Sequence, residues 1–201
     1  ISAILRDFNK TDYDTDLAEI EKSDKQYKVV QKDLRSQKKT LNTKESKIEW
    51  EGEKLTGSHE GTIMFKEGYL TMDGDKITGG EFIVDMTSIA ATDLEGEGKQ
   101  KLEGHLKSDD FFGVANHPTA KLVIKNATKK GDAYGIIADL TIKGKTNPVT
   151  FDLEMNGDTA TADLTIDRTK YDVKYGSGSI FDGLGDKVIY DEFKLDVKLK
   201  F

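Results

Sequence analysis

The chain has 201 residues, enough for one good-sized domain with an extension, and its 37 acidic against 30 basic residues leave a net charge of −7. That balance excludes nucleic-acid binding through phosphate neutralisation, and the lack of any cysteine removes disulfides, thiolate nucleophiles and cysteine-ligated metals. No run approaches the roughly 20 apolar residues that a membrane-crossing helix needs.

The first residue is Ile1 rather than Met, as expected of a sequence trimmed at its start, with room upstream for a secretion signal or a lipid anchor. Residues 1 to about 47 contain no Gly or Pro, are dense in charge and lack two-residue alternation. Leu17 and Ile20, then Val30 and Leu34, fall three or four apart, with Asp16 and Asp24 as cap-like residues. The reading is a charged N-terminal extension over 1–41, helical or partly disordered, followed by a single domain over 42–201.

From Lys47 the pattern changes to short strand-like runs punctuated by turns. Asp73-Gly74, Lys130-Gly131-Asp132 and Asn156-Gly157 are the hairpin candidates, because Gly and Asn tolerate positive φ. Phe82, Val84 and Met86 take alternate places, whereas residues 94–107, with Leu94, Leu102 and Leu106 among Glu, Lys and Gln, predict a short helix. Three further stripes follow: Tyr134 to Ile142, Val149 to Met155, and Ala160 to Ile166. Tyr171 to Lys187, rich in Gly and Asp, reads as a long loop at a rim. The last eleven residues alternate most clearly, Phe193, Leu195, Val197, Leu199 and Phe201 against Lys194, Asp196, Lys198 and Lys200. About eight strands, each with one dry face, make an all-β, antiparallel barrel whose interior is either filled by side chains or holds one small ligand.

Chemistry is sparse. His59, His105 and His117 lack the i, i+2 or i, i+4 spacing that sets two imidazoles on one metal. Asp73-Gly74-Asp75 starts like a calcium loop, but Ile77 occupies the third ligand position. Gly96-Glu97-Gly98-Lys99 and Gly176-Ser177-Gly178 fall short of the phosphate-binding patterns. Ser58-His59 and Ser177 sit in no nucleophile elbow. The expectation is therefore a protein that is not an enzyme and carries no metal or cofactor. Ala138, Ala160 and Ala162 on inward stripes leave volume open, yet pattern alone favours an ordinarily packed core in which they face Phe82, Phe151 or Phe193.

The run from Leu106 to Leu122, L-K-S-D-D-F-F-G-V-A-N-H-P-T-A-K-L, resembles the YceI-like family signature L-K-S-x-D-F-F-D-V-x-x-Y-P-x-A-x-F. Ser46 to Trp50, His59 to Thr62, Phe82 to Ile89, Asp139 to Phe151 and Arg168 to Val173 match further family segments in the same order. Glu45 stands where a histidine is common, Gly113 where an acid is usual, Leu122 for phenylalanine and Asp172 for glycine.

The resemblance implies an extended, lipocalin-like, eight-stranded barrel whose lumen binds, stores or transports a polyisoprenoid chain, often an isoprenoid quinone. It also implies export to the bacterial periplasm, with peripheral membrane contact or a lipid anchor upstream of the chain. Phe111, Phe112 and Val114 from the signature are expected at the lip or wall, with Phe82, Met86, Leu106, Ile142, Phe151 and Tyr171 behind them. The alternative from another class is an adaptor that docks partners through the charged arm while the barrel serves as a packed scaffold.

Overall fold

The computed structural model describes residues 18–28 and 36–201. Residues 18–28 are helical and exposed throughout, which suits their charge-rich composition. The expectations placed on Leu17, Val30 and Leu34 lie outside the described residues.

Nine strand segments follow: β1 Ser36–Thr40, β2 Lys47–Lys54, β3 Gly57–Asp73, β4 Lys76–Ala91, β5 Thr119–Lys130, β6 Ala133–Ile142, β7 Lys145–Asn156, β8 Thr159–Asp167 and β9 Ile189–Lys200. Each of β2 to β9 pairs antiparallel with its neighbours in sequence, and β9 returns to β2, so the sheet closes into an eight-stranded up-and-down barrel. The predicted hairpins fall at Gly74, Gly131 and Gly157, all at positive φ.

β1 corrects one expectation. Residues 36–40, read from sequence as part of a helical or disordered extension, form a strand against Tyr69–Asp73, on the same edge of β3 that β2 occupies at Gly57–Ile63. β1 and β2 are thus one wall strand broken by the turn at 41–46, where Leu41 N–H still bonds the Gly68 carbonyl at 2.9 Å. The pairing partner, 17 residues long, overrides a local sequence with no alternation of its own. Lys38 also rests over the Tyr69 ring at 3.9 Å.

The barrel's two halves differ. Away from the 96–107 helix, inward side chains fill the interior: Leu70, Ala138, Ile136 and Ala160 are at most 1% exposed. Each fully buried leucine or isoleucine contributes about 1.5–3 kcal/mol. Close approach is secured at Gly68, where a Cβ would stand 2.6 Å from the Phe82 ring. Phe82 packs there beside Phe65, with ring centres 6.2 Å apart. Ala138, Ala160 and Ala162 are all buried here.

Toward the other end the alternation persists but the interior is not full. Phe193 and Leu195 of β9 point to the core face there yet are only half-buried, and so, nearer the middle of the barrel, are Val197 and, opposite Ala138 and Ile136, Val149 and Phe151. One ladder is also short. β7 and β8 pair only at Glu154 with Thr161, Met155 with Ala160 and Asn156 with Thr159, beside their hairpin. Pro148 sits in the part of β7 beyond that ladder, where a strand can accept a residue with no N–H.

Candidate functional site: a one-ended apolar cavity

The helix Gly96–Lys107 has no side chain capping its first turn and three glycines along its length, so propensity does little for it. Packing supplies what propensity lacks. Leu102 and Leu106, four apart, turn inward, and Glu103 accepts a hydrogen bond from Ala91 N–H at 3.0 Å. The signature that follows is a series of tight turns. Phe112 N–H reaches the Leu106 carbonyl at 3.1 Å, Val114 N–H reaches Lys107 at 2.9 Å, and Gly113 N–H reaches Ser108 at 2.7 Å. Gly113 lies at φ +57°, a left-handed position that glycine takes at no steric cost. These turns bury Phe111, Phe112 and Val114 beneath the helix.

The space left under the helix is a cavity of about 190 Å³. This is an order of magnitude more than one water needs and somewhat above the roughly 150 Å³ of a dry apolar cavity able to take benzene. Its wall is formed by Ile48 and Trp50 of β2, Met86 and Ile89 of β4, Leu140 and Ile142 of β6, and Phe193 and Leu195 of β9, roofed by Leu102, Leu106, Phe111 and Phe112. Polar residues join it where β2 ends and β9 begins: Glu53, Lys54, Tyr190 and Glu192, with His59, His105 and Arg168. The packed-core expectation therefore holds at one end and fails at the other.

The expected site residues divide accordingly. Phe111, Phe112, Met86, Leu106 and Ile142 come together in the cavity wall. Phe82, Val114 and Tyr171 lie in the buried core, and Phe151 is half-buried against it. Burial and then the nearby Asp167 charge push the Tyr171 hydroxyl up to about 12.

Sequence reasoning did not nominate Ile48, Trp50, Leu102, Phe193, Leu195, His105 or Arg168. Phe193 and Leu195 were legible as an inward stripe. A two-residue period tells which face a residue takes, not whether the space it faces is filled.

The polar frame around the mouth is self-satisfied. Arg168 is 2% exposed and donates to the carbonyls of Tyr190 at 2.9 Å, Ile189 at 2.9 Å and Val173 at 2.8 Å, and to the Asp191 carboxylate at 3.5 Å. Its guanidinium lies 5.6 Å from the centre of the Phe111 ring. Asp191 also accepts from Ser179. Burial opposes the Asp191 charge, but hydrogen bonds from Ser177 and Ser179 and the Arg168 charge outweigh it and hold the carboxyl below its usual range. Ser177, fully buried, is a link in this network through its 3.0 Å contact with Ser179. Asp172, in the glycine place of the late motif, adopts φ +62°, a region aspartate tolerates, and pairs with Lys174 at 2.7 Å. Glu45 is turned to Asn42 at 2.7 Å.

Among the described residues no three His, Asp or Glu side chains converge as a metal site, and no helix is long and apolar enough to cross a membrane.

A closed antiparallel barrel, filled at one end and hollow and apolar at the other, is the lipocalin-like architecture. Within it, the family model described as the YceI-like domain matches residues 40–201, and the chain belongs to that family. A UPF0312 protein of Staphylococcus epidermidis is 33% identical over 138 residues, covering 57% of this chain and 77% of that one. Among solved structures, BcnA of Burkholderia cenocepacia superposes with a TM-score of 0.63 at 23% identity, covering 79% of this chain and 98% of that one. A structure described as a polyisoprenoid binding domain from Saccharophagus degradans gives a TM-score of 0.57 at 14% identity, covering 82% and 96%. At those identities the structural likeness establishes the fold.

Proposed function

We propose that this protein binds a long apolar isoprenoid lipid, a polyprenyl chain or isoprenoid quinone, in its hollow end, and stores or carries it without chemical change in an exported, periplasmic setting. The observation that carries the proposal is the apolar cavity beneath the helix and the Phe111-Phe112 turn. Family membership and the description of the Saccharophagus degradans neighbour agree with it. Each buried methylene contributes about 0.8 kcal/mol, so a few branched units supply binding before the polar end does anything. The cavity as it stands holds roughly one ring-sized group. A longer chain engages the half-buried Val197, Val149 and Phe151 further along the lumen, and these side chains shift to admit it.

The binding reading is supported by the frame, in which Ser177 and Asp191 bond Ser179 and Arg168. The chain's single tryptophan, Trp50, stands in the wall and serves as a built-in reporter. Titrating delipidated protein with farnesol or a short-chain ubiquinone should change Trp50 fluorescence saturably, and native mass spectrometry of gently purified protein should show a co-purifying apolar molecule. Protein that purifies empty and shows no saturable response would defeat the proposal.

A further inference from the structure

The three histidines of the chain have different fates. His59 is paired with Asp93 at 2.7 Å, and the ring of His117 is packed against the turn at Gly144, 3.3 Å from where a Cβ there would stand. His105 does neither. It sits in the last turn of the helix and in the cavity wall, its ring edge-on to Tyr175 with centres 4.5 Å apart and to Phe111 at 5.4 Å. These two contacts fix the ring plane. Beyond the helix, the His105 carbonyl accepts from Ser108, and among the described residues no hydrogen bond reaches its ring nitrogens. No side-chain nitrogen or oxygen is both buried and unpaired among these residues, so those nitrogens open onto space rather than being sealed in the core.

Much of the rest of the polar rim is already paired or acidic, with Lys54 and the Tyr190 hydroxyl as the other polar groups there. The Arg168 guanidinium is shared among three carbonyls and Asp191, and Glu53 is held by Lys194 at 2.8 Å. Lys54 shares the wall with two carboxylates, Glu53 and Glu192. A doubly charged head would meet these acids with one lysine to offset them, whereas a neutral oxygen needs only one hydrogen bond.

Building on the lipid-binding reading, we propose that His105 is the residue that recognises the polar end of the guest, through a hydrogen bond from its imidazole to a neutral hydroxyl or carbonyl oxygen. The ring is pre-oriented by Phe111 and Tyr175, so little conformational freedom is lost when the bond forms.

The test compares farnesol, its saturated hydrocarbon counterpart farnesane, and farnesyl diphosphate by Trp50 fluorescence, in wild type, His105→Phe and His105→Gln. Wild type should prefer farnesol to farnesane by about three- to tenfold, the range of one net hydrogen bond, and should not prefer the diphosphate. His105→Phe, which keeps a ring against Tyr175, should lose the preference while retaining farnesane affinity. His105→Gln should restore part of it. An unchanged farnesol-to-farnesane ratio in His105→Phe, or a diphosphate bound more tightly than farnesol, overturns the assignment while leaving lipid binding intact. Uptake of neither neutral ligand by wild type overturns both.

Discussion

The two ends of this barrel are held together by different physics. At the filled end, Leu70, Ile136, Ala138 and Ala160 are sealed among apolar neighbours, and packing carries the stability. At the hollow end the strands have no such filling. There the loop after β8 is tied to the start of β9 by the buried Arg168 and its four acceptors, and by the Ser177–Ser179–Asp191 chain. A wall that keeps its interior vacant forgoes the energy of filling it and relies on polar staples at the rim.

The strongest way to break this comparison is to remove the staple. Arg168→Ala removes the donor shared by three carbonyls and the cation beside Asp191, and chemical denaturation should show a loss of about 3–5 kcal/mol. A loss below about 1 kcal/mol would mean that the hollow end is held by packing after all. At the filled end, Ile136→Ala should cost about 2–5 kcal/mol, because a sealed site relaxes only partly around the void. It should leave lipid uptake unaltered.

A matched pair of enlargements sharpens the contrast. Ala138→Leu overpacks the filled end and should cost about 1–3 kcal/mol. Ala120→Leu, at a wall position of the cavity, should change stability by less than about 1 kcal/mol and block ligand entry, seen as a lost Trp50 response. Equal penalties at the two sites would contradict the existence of a vacant end.

A pH-dependent effect concerns Tyr171. Its folded-state pKa, pushed up to about 12, exceeds the unfolded value near 10. The neutral hydroxyl's contribution is thus complete below about pH 10 and lost as pH rises toward 12, at most on the order of 3 kcal/mol. Denaturation midpoints should fall over that window in wild type and fall less in Tyr171→Phe. Asp191 gives the opposite sign. Its lowered pKa makes its contribution complete above about pH 4 and lost on further acidification.

Much of the frame was legible in the sequence because alternation and turn chemistry are local. The stripe from Tyr134 to Ile142 is buried at every inward place, and the hairpins at Gly74, Gly131 and Gly157 need the positive φ that glycine permits. The short helix fell where Leu102 and Leu106 placed it. β1 was not legible, since its identity as a strand comes from β3 rather than from Ser36–Thr40. Nor was the division of the interior. Ala138 and Ala120 look alike in sequence, yet one is packed against neighbours and the other faces a void, and only the meeting of distant strands decides which.

The short ladder between β7 and β8 has a bearing on how such a vessel is filled. Beyond Glu154 and Thr161 the two strands share no rung, while each remains bonded along its far edge to β6 or β9. The girth of the barrel is therefore not fixed there by backbone bonds. A thicker occupant can spread these staves apart, and a thinner one lets them settle, without rupturing a single interstrand link.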